Sequence, residues 1–301
     1  MTAVFVEDGV DKGAIWHFGE PNKEQKALVA GTAWADLSHL NVIAVSGADR
    51  LKWLHDLTTQ HLSELGAGQW TSALILDAQG HVEYQFNLVD DGDTTWLVID
   101  PGYIDTLVAY LQKMKFMLRV DVRDASNEFA VLRAPGAVTD LGGPFALVPR
   151  AELKEMQETF GATAMQVGTW ALDAMRVAAG RPRIAFETDH KSIPNELGVL
   201  NKSVHMNKGC YRGQETVAKI FNLGNPPRRL VLLHLDGSQV VMPAPGTPVM
   251  NGEIQVGFLG TVARHFELGP IALAIVKRTT PVDAQLTVEN VAASQQVIVP
   301  A

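Results

Sequence analysis

The sequence predicts an α+β chain built on antiparallel sheet and closed by a small, separate β-domain. Three observations carry this reading. Hairpin-spaced strands alternate with amphipathic helical runs through most of the chain. Gly224, Pro226 and Pro227 then interrupt helix and sheet alike. Short strands at regular spacing fill the remainder.

The elements follow in order. "GADRLKWLHDLTTQHL" (47–62) sets Leu51, Leu54, Leu57 and Leu62 at near-helical spacing behind Asp49, a candidate cap. "SALILDAQGHVEYQFNLVDDGDTTWLVID" (72–100) reads as three strands joined by "DAQGH" and "DDGD", whose Gly and Asp tolerate tight-turn backbone. "DDGD" lacks the acidic residue that a calcium loop places further on, so a plain hairpin is expected. A second helix fits "PGYIDTLVAYLQKMKF" (101–116), with Pro101 suited to its first turn. The strands "LRVDVRDAS" and "EFAVLRA" come next, then a helix over 150–161. Beyond the prolines, "RRLVLLHL", "TPVMN", "IQVGFLGTVARHF", "PIALAIVKR" and "QLTVENV" make residues 225–301 a small all-β barrel or sandwich.

At 301 residues, more than one domain is expected. The formal net charge of −8 argues against a broad nucleic-acid or anionic-membrane surface. A single cysteine makes no internal disulfide, which fits a reducing compartment. The opening "MTAVFVEDGVDKGA" lacks the basic and apolar regions of a signal peptide. "IALAIV" falls far short of the roughly 20 apolar residues that span a bilayer. A cytoplasmic protein without a membrane partner is expected.

No G-x-S-x-G elbow, Walker A loop or H-E-x-x-H helix is present. His55 and His61 sit six apart, on different faces of the predicted helix, which speaks against a shared metal. His190, His205 and Cys210 match no common zinc spacing, so no metal is expected. The chemistry-bearing stretch is "NKGCYRGQETVAKI" (207–220), which holds the only cysteine. Cys210 has two readings. Free cysteine is commonly buried and inert. A reactive one needs its thiolate, which nearby Lys208 and the N-terminal end of the following helix would favour. Gly209 and Gly213 would let backbone amides approach a ligand.

"KGCYRGQE" (208–215) resembles the signature octapeptide of the YgfZ-type folate-binding proteins, relatives of the glycine-cleavage T-protein, an aminomethyltransferase. "DLSHLNVIAVSGADRLKWLHDLTTQHLSELGAGQ" (36–69) resembles the T-protein family's opening block, and "LDAQGHVEYQFNLV" (76–89) its following hairpin. "AMRVAAGRPR" (174–183) and "SIPNELGVL" (192–200) resemble the segments leading into the octapeptide. The resemblance implies an α+β, T-protein-like fold. Residues 1–224 would form a mixed α/β folate-binding region of two interleaved subdomains, and 225–301 a β-barrel. It implies tetrahydrofolate, or a derivative, held in a central hole. It also implies a role in assembling or maintaining iron–sulfur proteins, with those proteins or their assembly machinery as partners.

In that family the motif cysteine is the functional residue, which carries over to Cys210 with Lys208 beside it. Tyr211, Gly213, Gln214 and Glu215 match the motif position by position, and with His205 they form the candidate cofactor-binding set. Trp170 offers either a stacking face for the pterin or a core aromatic. Two departures stand out. T-proteins carry an aspartate where this chain aligns Leu107, with Asp105 the nearest acid. They also grip the pterin with the glutamate of an "EAG" triplet, which is "AAG" here, with Ala178 at that position. The first argues against aminomethyl transfer and the second against tight folate binding. The alternatives are a tetrahydrofolate-dependent one-carbon transferase and a plain folate carrier.

Overall fold

The run Val42–Val45 is apolar at every position because its strand is covered on both faces. Val42 and Ala44 enter one core, while Ile43 and Val45 enter another. This strand lies inside the first of two compact units in the computed structural model, which describes residues 2–237 and 242–300.

In chain order the elements are strands Val4–Phe5 (β1) and Ile15–His17 (β2), helix Pro21–Val29 (α1), and strands Ala33–Asp36 (β3) and Asn41–Ser46 (β4). Helix Arg50–Leu57 (α2) leads to strands Thr71–Leu76 (β5), Val82–Asp90 (β6) and Thr94–Ile99 (β7). Helix Ile104–Met114 (α3) and strand Asp121–Asp124 (β8) follow. Strands Phe129–Arg133 (β9) and Phe145–Pro149 (β10) precede helix Leu153–Gly161 (α4), strand Met165–Gln166 (β11) and helix Thr169–Ala178 (α5). Helices Ile184–Glu187 (α6), Leu200–Ser203 (α7) and Gln214–Leu223 (α8) lead into the last strands. These are Arg228–Leu235 (β12), Pro248–Asn251 (β13), Ile254–His265 (β14), Gly269–Lys277 (β15), Leu286–Val288 (β16) and Val291–Val297 (β17).

The first unit comprises residues 1–75, 84–172 and 202–212. Its larger sheet has the order β5-β6-β7-β4-β8, and a second sheet has the order β10-β9-β3-β11. The larger sheet packs one face against α2 and α3, through Trp53, Leu54, Leu107 and Leu111. Helix α2 is shorter than the spacing over 47–62 predicted. Thr58 is extended, and the β-branched pair Thr58–Thr59 leaves the helix. Asp49 stands at the N-cap, but its carboxylate accepts from Arg119 and not from a helical N–H.

The second unit comprises residues 76–83, 173–201 and 213–301. The final six strands close into a barrel of order β12-β15-β14-β13-β16-β17. Its interior takes alternate residues, such as Val231, Leu233 and Leu235 from β12 and Ala272, Ala274 and Val276 from β15. The unit reaches back before residue 225 because charged side chains fasten the barrel to that stretch. Arg228 on β12 donates to Asp189 and Glu196, and Arg176 on α5 donates to Thr261. Among the described residues no helix is long and apolar enough to cross a membrane.

Candidate functional site

Within the first unit, residues 202–212 are fastened to the corner where α2 ends. A helix leaves its last carbonyls without intrahelical partners. Here the Lys208 ammonium donates to the carbonyls of Thr58 at 2.5 Å, Gln60 at 3.1 Å, and His55. A cation at a helix C-terminus also opposes the helix dipole favourably. Lys208 is only 8% exposed, and burial pushes its ammonium down to about 8, with Asp56 acting in the other direction. Its Nζ stands 5.3 Å from the centre of the Tyr211 ring, a cation–π arrangement. Tyr211 is itself buried, which pushes its phenol up to about 12.

Other bonds hold the same segment. The Thr59 hydroxyl donates to the Ser203 carbonyl at 2.5 Å, and the Gln60 amide to the Lys202 carbonyl at 2.9 Å. The His205 N–H donates to the Thr59 carbonyl at 2.9 Å. The sequence reading has Lys208 favour the thiolate if its ammonium turns inward; three hydrogen bonds of that ammonium go to carbonyls of this corner. Between pinned Lys208 and buried Tyr211, Cys210 is exposed.

The second half of the motif lies in the second unit. Gly213 caps α8 with φ 79°, and a Cβ there would sit 2.6 Å from the Asp77 carbonyl oxygen and 2.8 Å from Gly80 Cα. Only glycine accepts both the conformation and the approach. The hairpin it meets is fixed by Asp77, whose Oδ1 accepts the N–H groups of Gln79 and His81, and whose Oδ2 lies 2.8 Å from His81 Nδ1. Gln214 and Glu215 form the first turn of α8, with Glu215 exposed. In the first unit Trp170 is partly buried against Trp16, with ring centroids 4.7 Å apart, and His17 meets it edge-on at 5.5 Å.

The expectation that His55 and His61 face apart is overturned. Because α2 stops at Leu57, the chain turns back and brings their ring centroids to 4.8 Å. His205 comes within 5.2 Å of His61. The Leu62 N–H donates to His55 Nδ1 at 3.2 Å, and the Ser63 hydroxyl lies within 3.4 Å of His55 Nδ1 and 3.3 Å of His61 Nε2. Burial, then the charges of Lys208 and His61, holds the His55 imidazole below its ordinary value. His61, His205, Gln60, Glu64, Gln69 and Thr71 line an open cleft of about 280 Å³. Among the described residues no group of three or more His, Cys, Asp or Glu is placed to hold a metal ion. Sequence reasoning missed Thr59, Gln60 and His61 as parts of this corner. The β-branched pair that ends the helix was the available signal.

Residues 3–139 match the model of the GCVT N-terminal domain. A tRNA-modifying protein YgfZ of Colwellia psychrerythraea is 22% identical, with 80% of this chain and 83% of that protein covered. An iron-sulfur cluster assembly factor IBA57 homolog, mitochondrial, of Mycosarcoma maydis is 25% identical, covering 72% of this chain and 61% of that protein. The crystal structure of glycine cleavage system aminomethyltransferase T from Bartonella henselae superposes with a TM-score of 0.81 at 17% identity. That match covers 98% of this chain and 92% of the other. The chain is thus similar to the GCVT N-terminal domain over residues 3–139, and to YgfZ and IBA57 proteins over most of its length.

The two departures from the GCVT pattern have definite places. Leu107 on α3 is fully buried in the core. Asp105 is exposed two residues earlier, about 200° around the helix. Ala178 is the last residue of α5.

Proposed function

We propose that this protein is a folate-binding accessory factor in the assembly or maintenance of iron–sulfur proteins, with Cys210 as its functional thiol. The observation that carries the reading is the treatment of the motif. Lys208 is pinned by three carbonyls, Tyr211 is buried and Gly213 is sterically obligatory, while the thiol among them is exposed. Free cysteine is ordinarily among the most buried residue types, so an exposed one in a rigid frame is suited to meeting another molecule. The name of one group of relatives, iron-sulfur cluster assembly factor IBA57 homolog, supports the same direction. One thiol does not hold a cluster that takes four protein ligands. Cys210 therefore acts in exchange, or as a ligand shared with a partner protein.

Tetrahydrofolate enters through the family fold. Trp170 has Trp16 against its ring, and Ala178 brings no carboxylate to a pterin. The loss of one charge-assisted hydrogen bond, about 1.5–3 kcal/mol, corresponds to roughly ten- to a hundredfold weaker binding than in members with that glutamate. The transferase alternative needs a proton carrier beside the folate. Buried Leu107 does not supply one, and Asp105 is on the opposite side of its helix.

Calorimetric titration of tetrahydrofolate into wild type and Cys210→Ser tests the reading, paired with complementation of a strain lacking the protein. Folate heat in both proteins with complementation by wild type alone is expected. No heat and no competition with a labelled folate at millimolar concentration removes the folate half. Full complementation by Cys210→Ser removes the thiol half.

A further inference from the structure

We propose that His55, His61 and His205 form an acid-sensitive catch on the segment that carries Cys210. The geometry begins with a directional bond. His55 Nδ1 accepts the Leu62 N–H at 3.2 Å, so the neutral ring carries its proton on Nε2. Protonation puts a hydrogen on Nδ1 and sets donor against donor, and the turn from α2 into 58–62 loses one of its bonds, leaving those of Thr58 to Leu54 and of Thr59 to Leu74.

The same corner holds residues 202–212. Their anchors are the Lys208 bonds to the carbonyls of His55, Thr58 and Gln60, the Thr59 bond to Ser203, the Gln60 bond to Lys202, and the His205 bond to Thr59. Each of these has one end between residues 55 and 60. The corner and the segment also meet directly through the His61 and His205 rings, 5.2 Å apart.

The charges around the cluster act on the imidazolium form. Lys208, Lys52 and a protonated His61 repel a charge on His55, and Asp56 attracts it. Glu64 lies 3.8 Å from His61, with its side chain largely solvated, so its field at the cluster is screened. His55 is held below its ordinary value, so the released corner binds more protons than the closed one. The closed state is therefore favoured at neutral pH and lost as pH falls through the ordinary histidine range. Loss of the Leu62–His55 hydrogen bond, with repulsion from Lys208 beside it, suffices for about a tenfold shift in such an equilibrium. The consequence is a Cys210 segment that is fixed at neutral pH and mobile in acid. This does not depend on the folate or iron–sulfur reading.

The test is amide hydrogen exchange of the full chain between pH 7.5 and 5.0. Rates are divided by the intrinsic rate at each pH and compared between peptides from 202–212 and from β15. The protection of 202–212 should fall about tenfold or more, with β15 unchanged. The midpoint should track the His55 imidazole signal in NMR. His55→Gln, which keeps an acceptor and removes the titration, should abolish the fall. Protection of 202–212 that stays constant over this range in wild type overturns the proposal, whether or not the variant folds. So does a fall shared equally by β15, or one that persists in a folded His55→Gln.

Discussion

Burial gives the Lys208 ammonium few partners to choose from. Its three donors meet three carbonyls from a corner that the chain leaves some 150 residues earlier. Lys208→Met should lower stability by about 2–3 kcal/mol, because it takes a charged donor away from three carbonyls at once. Urea unfolding measures this. The pH dependence has a definite sign. Burial lowers Lys208 from its ordinary 10.5 to about 8, so between these values the unfolded chain binds more protons than the folded one. The cost of keeping Lys208 charged in the folded chain is therefore full below about pH 8 and is relieved as pH rises toward 10.5, so stability rises over that window. Lys208→Met should remove that rise. At Gly213 the argument is steric. Gly213→Ala places a Cβ 2.6 Å from the Asp77 oxygen at φ 79°, and should cost at least about 1–3 kcal/mol in the same assay.

Strand β12 carries two adjacent arginines with opposite circumstances. Arg228 donates to Asp189 at 2.7 and 3.0 Å and to Glu196 at 2.8 and 3.0 Å. Removing it leaves buried Glu196 without its counter-charge, so Arg228→Met should destabilise by about 3 kcal/mol or more. Burial works against the Asp189 carboxylate, but the Arg228 hydrogen bonds hold it well below the usual range. Its stabilisation is present above the unfolded carboxyl value and lost as pH falls below it. A pH series of melting curves should show a shallower acid limb in Arg228→Met. Arg229 is fully buried, and its Nε and Nη1 have no hydrogen-bond partner. Its donors reach only the Thr280 carbonyl and the Gln295 amide oxygen. Arg229→Met should be neutral or stabilising, because apolar packing replaces an uncompensated buried cation. Thermal melts of the two variants should move in opposite directions.

At the scale of the whole molecule, the chain is threaded so that each compact unit is assembled from three separate stretches. The barrel strands close on themselves, yet the unit around them draws on 173–201 through Arg176, Asp189 and Glu196. A fragment covering 225–301 should therefore melt well below one covering 173–301, when both are followed by circular dichroism. Equal melting temperatures would show that those ion pairs contribute nothing to the barrel. The division of the chain falls inside the octapeptide. Lys208 to Arg212 belong to one unit and Gly213 onward to the other, so one short motif carries the structural requirements of both.

The sequence alone determined the kind and order of the elements between residues 47 and 133, the helix over 150–161 and the β-rich end of the chain. The turn-bounded strands of 72–100, the regularly spaced strands after Pro227, the helical runs over 101–116 and 150–161, and the octapeptide with its single thiol are all local patterns. A local pattern states which face a residue occupies within its own element. Tertiary structure decided the rest: that α2 stops at Leu57, that His55 and His61 meet, and that Lys208 donates to three carbonyls far away in the chain. It also decided that Cys210 is exposed. Each of these depends on partners distant in the chain. A backbone carbonyl is identical at every residue, so the sequence carries no mark of which ones a buried ammonium will find.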